Sequence, residues 1–183
     1  YDLAPPQTWE QLREIARYFH DPSQDRFGVV MLTGRSYDSL TMGFQQIMWA
    51  FGGSWGDDQY HVKGRLNSNE SILALNFMKE LMKFGPSDAV NSDYARTLQS
   101  FLNGSTAMAS TYFAFFPELE STMGDKVGFF AVPAYRDKHA VSLGGQGFSI
   151  SAKTTPHIQE LAKQFIAWFL QKSVQKEWIT KPA

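Results

Sequence analysis

The chain has 183 residues, 43% hydrophobic and 15% aromatic, enough apolar material for one substantial core or one core plus part of a second. Lys and Arg (17) nearly cancel Asp and Glu (18), the net charge is -1 and no basic run occurs, so the sequence carries no electrostatic footprint for nucleic acid or an acidic membrane surface. The absence of cysteine excludes disulfides, thiolate metal sites and cysteine nucleophiles, and no apolar stretch approaches the roughly 20 residues of a membrane helix.

The opening YDLAPPQ has neither a methionine nor a signal-like segment, and the chain stops at Lys181-Pro182-Ala183 directly after a helical pattern; both ends read as cuts in a longer protein. Thr8 and Gln11 form a capping box behind the stiff Pro5-Pro6 pair. A helix is expected from about Trp9 to Phe19, with Trp9, Leu12, Ile15, Ala16 and Phe19 on one face. After a polar turn, Phe27-Gly28-Val29-Val30-Met31-Leu32 is short, apolar and β-branched, the composition of a strand buried on both faces and hence of an α/β domain.

The loop TGRSYDSL then stands at a strand's end, where open α/β sheets carry their ligand-binding loops. Arg35, Tyr37 and Asp38 are candidate site residues, an arginine and a carboxylate able to form charge-assisted hydrogen bonds to hydroxyls or acids. The alternative is a solvated loop in which Asp38 or Ser39 only caps the next helix. That helix is expected to carry Leu40, Phe44, Ile47, Met48 and Phe51 inward and to end at Gly52-Gly53, where a left-handed position suits glycine.

Trp49 and Phe51 lie roughly 200° apart around a helix, so one of them points away from the core. Trp49, Trp55, Asp57 and Asp58 together offer flat apolar faces and charged acceptors, the two things a pyranose ring presents surfaces for. Asp57 or Asp58 also reads as a glycosidase carboxylate, although adjacent residues are poorly placed for a pair that must stand about 5 to 9 Å apart.

Further along, Tyr60 to Leu66 suggests a small hairpin, and Asn67 with Glu70 a second capping box. The helix behind it has Ile72, Leu73, Phe77, Met78, Leu81 and Met82 as its expected buried face and ends at Gly85-Pro86. A helix over about Ser92 to Asn103 leads to GSTAMASTYFAFFP, Gly104 to Pro117. There a strand-like run ends in Tyr112, Phe113 and Phe115, rings placed either to meet a ligand or to pack as core.

Gly128 to Pro133 reads as another strand. Gly144, Gly145 and Gly147 form a flexible segment that is neither GxGxxG nor Walker-like. Thr155 and Pro156 start a long helix with Ile158, Leu161, Ala162, Phe165, Ile166 and Phe169 inward, and a short helix begins near Ser173. His20, His61, His139 and His157 have no metal-ligand spacing, and HExxH and GxSxG are missing, so no catalytic centre, metal or cofactor is expected.

Taken in order, PQTWEQL, GRSYDSL, WAFGGSWGDD, LNSNESILALNFMKEL, FLNGSTAMAST, VGFFAVPA, GGQGFSIS and AKQFIAWFL resemble the extracellular solute-binding proteins of carbohydrate ABC importers, the relatives of maltose-binding protein. The resemblance runs over essentially the whole chain. It implies a periplasmic-binding-protein-like lobe, a sheet flanked by helices, in a fragment of a two-lobe protein that closes on its ligand. Residues 1–142 would be the carboxy-terminal-type lobe. Residues 143–183 would be a hinge crossing and a helical segment returning to an amino-terminal lobe mostly outside the fragment.

By the same resemblance, the family's sugar-stacking aromatic four positions after the AM dipeptide falls on Tyr112. The family's contact in the double-glycine loop falls on Gln146, where tryptophan is common, with Gly145 beside it as a candidate. The FGG element carries over to Trp49, Gly52, Gly53, Trp55 and Asp57, and the loop before its helix to Arg35 and Tyr37. The implied function is non-catalytic binding of a sugar or oligosaccharide for delivery to importer permease subunits, in the periplasm or on a cell-surface lipoprotein. Membrane contact would come only through the permease or a lipid anchor outside the fragment. The alternatives are a glycoside hydrolase using Asp57 or Asp58, and a solute-binding protein for a non-sugar ligand.

Overall fold

Thr8 starts the first helix by the reciprocal contact that its spacing from Gln11 implies. Its hydroxyl accepts from the Gln11 amide, and the Gln11 side chain accepts from the Thr8 amide, each at 3.2 Å. The computed structural model describes residues 3–144 and 147–180 and places α1 at Trp9–Phe19, burying Trp9, Leu12 and Ala16 with Ile15 packed beside them.

β1 (Phe27–Val30) pairs in parallel with β2 (Thr106–Ala109), Phe27 opposite Thr106 and Val30 opposite Ala109. Parallel pairing requires a long crossover. Here that crossover holds α2 (Ser39–Ala50), α3 (Asn69–Met82) and α4 (Tyr94–Leu102). The ladder ends two residues short of the expected Leu32. Its last rung is the Ser110 amide donating to the Val30 carbonyl at 3.0 Å, and Met31, Leu32 and Thr33 run on as buried chain without a strand beside them.

One core joins these elements: Trp9, Leu12 and Ala16 of α1, Val29 and Met31 of the first strand and its extension, Ile47, Met48 and Phe51 around α2, Phe77, Met78 and Leu81 of α3, and Met108 of β2. Two close approaches require glycine. A Cβ at Gly28 would overlap the Ala16 carbonyl of α1, and one at Gly43 would overlap the Leu32 carbonyl, so α1 and α2 press directly on the first strand and its continuation. At the far end of α2, Gly52 takes φ 95°, its amide donating to Trp49 and the Gly53 amide to Met48, the double bond that closes a helix with a left-handed glycine. Phe51 is the buried member of the Trp49–Phe51 pair.

Several local expectations are corrected. Tyr60 to Leu66 is a chain of tight turns instead of a hairpin, because Asp57 gathers the amides of Gln59 and His61. Ser68, not Asn67, caps α3, accepting from the Ser71 amide at 3.2 Å, while Asn67 accepts from Gly64. The inward face of α3 is Ser71, Ala74, Phe77, Met78 and Leu81; Ile72 and Leu73 are exposed. Leu40 at the start of α2 is likewise exposed. Residues 128–133 form no ladder among the described residues. They are extended chain whose continuation, Ala134, bridges Gln7 and Trp9 at the head of α1.

α5 (Phe116–Met123) follows β2 after a single turn at Phe113–Phe115. The chain divides into two compact units, Tyr1–Ser142 and Leu143–Ala183. The second holds α6 (Pro156–Phe169), capped by Thr155, and α7 (Lys172–Thr180), with Phe169 meeting Trp178 at 5.6 Å and Phe148 at 5.3 Å. The stripe expected to face inward on α6 is half open: Ile158, Leu161 and Phe165 keep 48%, 47% and 52% exposure. Two short helices cannot enclose an apolar stripe without a further layer.

Candidate functional site

In an open parallel sheet the C-terminal ends of the strands point into the loops where ligands settle. At that edge β1 continues through Thr33 and Gly34 to Arg35 and Tyr37, and β2 continues through Ser110 and Thr111 to Tyr112. The Tyr112 hydroxyl donates to Asp38 Oδ1 at 3.1 Å, tying the two loops together. Burial, then the hydrogen bond to the Asp38 carboxylate, pushes the Tyr112 hydroxyl up to about 12. Asp38 stands at the head of α2 but gives its amides no side-chain bond, so its carboxylate serves Tyr112 rather than the helix.

Two adjacent amides on α2 extend this polar edge. Gln46 donates through Nε2 to Ser110 Oγ at 2.9 Å, and Gln45 receives the Trp55 indole N–H at 3.2 Å. Because the indole nitrogen only donates, Gln45 must turn its oxygen to Trp55 and its NH2 to Ser142 and Met42 Sδ. Both glutamines are nearly enclosed, at 6% and 8% exposure. Thr111 Oγ1, next to Tyr112, is buried with no hydrogen-bond partner. Sequence reasoning passed over Gln45, Gln46, Ser110 and Thr111. The available signal was a pair of amides inside the otherwise apolar FQQIM run, since a buried amide needs assigned partners.

The other sequence candidates are distributed as follows. Tyr37 is 90% exposed with φ 51°, and Arg35 is exposed and makes no ion pair among the described residues. Trp49 is half-buried against the core, while Trp55 retains 36% exposure edge-on to Phe44, centroids 6.1 Å apart. Gly145 and Gln146 lie outside the described residues. In the aromatic cluster, Phe113 is exposed, Phe115 stacks on Tyr94 at 5.9 Å, and Phe116 on Phe129 at 4.2 Å.

Asp57 is engaged within its own loop. Oδ1 accepts the amides of Gln59 and His61, each at 3.0 Å, and Oδ2 meets His61 Nδ1 at 3.3 Å. The backbone N–H of His61 leads in holding its carboxyl below the usual carboxylate range. A glycosidase acid needs the opposite shift, upward, to keep its proton at neutral pH. Among the described residues no group of three or more metal-binding side chains is placed to hold an ion, and no helix is long and apolar enough to cross a membrane.

Comparison with known proteins matches this arrangement to a family. An ABC transporter solute-binding protein from Agrobacterium radiobacter K84, solved in complex with ribitol, superposes with a TM-score of 0.82 at 28% identity, over 96% of this chain and 45% of that one. The maltose-bound MalE3 of T. maritima gives a TM-score of 0.82 at 26% identity, over the same shares of 96% and 45%. A maltotriose-binding protein of Pyrococcus abyssi is 29% identical over 100 residues, 55% of this chain and 20% of that protein. The chain spans less than half the length of the curated relatives it matches. Its α/β fold is that of a periplasmic-binding-protein lobe. The profile of the bacterial extracellular solute-binding proteins matches residues 1–176, and the chain belongs to that family.

Proposed function

We propose that the protein containing this chain binds a sugar or oligosaccharide without transforming it and hands it to the permease subunits of an ABC importer from the extracytoplasmic side. Residues 1–142 act as the carboxy-terminal-type lobe, and residues 143–183 as the hinge crossing and a helical segment belonging with the amino-terminal lobe. The observation that carries this reading is the gathering of Asp38, Gln45, Gln46, Ser110, Thr111 and Tyr112 at the C-terminal edge of a parallel pair, in a chain of the solute-binding family.

In this reading Tyr112 is the central ligand contact, and Arg35, Tyr37, Trp49, Trp55, Gly145 and Gln146 are its further candidate contacts, the last two lying outside the described residues. Asp57 contributes by shaping the turn that follows Trp55. Titration calorimetry of the full-length protein against monosaccharides, sugar alcohols, maltose and maltotriose tests the function. Saturable binding with no turnover of the ligand is expected; an absence of heat across the whole panel would overturn it.

A further inference from the structure

An amide side chain donates from one side and accepts on the other, so where it is enclosed its orientation decides which neighbours it can serve. Gln45 uses both sides. Its oxygen accepts the Trp55 indole N–H at 3.2 Å, and its NH2 donates to Ser142 Oγ and to Met42 Sδ. At 6% exposure little solvent reaches the amide to replace these partners, and a half-turn would set its N–H groups against the indole N–H.

The two ends of this contact stand at places that matter for a ligand. Trp55 keeps 36% exposure, a ring fixed at its N–H edge and backed by Phe44. Ser142 is the last residue of the first compact unit, and Val141 and Leu143 on either side of it are exposed, so at that point the bond to Gln45 holds the chain where apolar packing does not. Gln46, about 100° further round the helix, goes to Ser110 instead. A side chain already held in place spares binding the cost of ordering it, which is worth about two- to tenfold in affinity.

Resting on the carbohydrate-binding reading, we propose that Gln45 is a positioning residue for ligand capture: through one oriented amide it sets the Trp55 ring as a ligand contact and anchors the chain at Ser142, where the crossing begins. Ring and crossing are then coupled. A change at Ser142 alters Trp55, although Ser142 meets Gln45 and not the indole.

The test uses the full-length protein and its Gln45→Met and Ser142→Ala variants. Exchange of the Trp55 indole hydrogen is followed by NMR, with the resonance assigned by its loss in Trp55→Phe, and calorimetry is run with ribitol, glucose, maltose and maltotriose. Gln45→Met is expected to speed indole exchange and to weaken the tightest of these ligands about two- to tenfold. Ser142→Ala is expected to speed the same indole exchange and to weaken that ligand by a smaller factor. A Gln45→Met protein of full affinity would overturn the positioning role, and a Ser142→Ala protein with an unchanged indole signal would overturn the coupling. If Gln45→Met does not fold, Ser142→Ala decides alone on both readouts. Failure of all four ligands to bind the parent protein would instead remove the function on which the proposal rests, while the indole signal still reports the clamp.

Discussion

Asp38 and Tyr112 are a coupled pair in which each side chain alters what the other can do. Burial, and then the donation of its hydroxyl to the carboxylate, make Tyr112 resist ionisation, and its folded-state value of about 12 exceeds the ordinary tyrosine value of about 10. A raised value, caused first by burial and then by the Asp38 contact, means that the neutral Tyr112 contributes stability that is full below pH about 10 and lost as pH rises through about 12. Ultraviolet titration should therefore show one of the seven tyrosines ionising late, and Tyr112→Phe should delete that late phase; an unchanged profile would separate Tyr112 from Asp38. Asp57 works in the opposite direction. Its lowered value adds stability above the unfolded carboxylate value of about 3.9 that is lost as pH falls through the folded one. Asp57→Asn should melt lower than the parent at neutral pH, and the two melting curves should converge in acid. Parallel offsets at every pH would contradict this.

At the scale of elements, what was legible followed from local chemistry. The Thr8–Gln11 box, the Gly52 helix stop and the Thr155–Pro156 start depend on residues within a few positions of each other, and all three stand where the spacing places them. What was not legible depended on distant partners. Gly128 to Pro133 has strand composition, yet pairing is decided by a neighbour's edge and not by the segment itself. The inward face of α3 takes in the small Ser71 and Ala74 and leaves the larger Ile72 and Leu73 exposed, since the face is chosen by what packs against the helix and not by the size of its apolar residues. The place of Arg35, Tyr37 and Asp38 in a loop after the first strand was readable because it follows from where the apolar run ends. The Gln45–Gln46 pair was not, since its partners Ser110 and Ser142 lie far along the chain.

Two substitutions test these contacts. Thr8→Ala should cost about 1 kcal/mol in denaturant unfolding, through the loss of the first-turn cap. Gly43→Ala should cost about 1–3 kcal/mol, despite alanine's better helix propensity, because the new methyl would meet the Leu32 carbonyl. A stabilised Gly43→Ala protein would show that α2 does not press on the chain beyond β1.

For the molecule as a whole, the two units differ in what protects them. The first contains the buried cluster from Trp9 to Met108, whereas among the described residues of the second no side chain is fully buried. Amide exchange reports such differences directly. In the 183-residue chain by itself, the amides of β1 and β2 should exchange slowest, and those of α6 and α7 orders of magnitude faster, near the rate of marginal isolated helices. Equal protection in both units would refute that ranking. Addition of a tight ligand to the full-length protein should slow exchange around Asp38 and Tyr112 first.

The pairing of Phe27 with Thr106 has a kinetic side. The two strands are neighbours only after about 80 residues of intervening chain have been gathered, and contacts of such separation make folding slow. The sheet edge that carries Asp38 and Tyr112 can then close only late, after α2, α3 and α4 have found their places. The same long crossover that brings Asp38 and Tyr112 together postpones their contact.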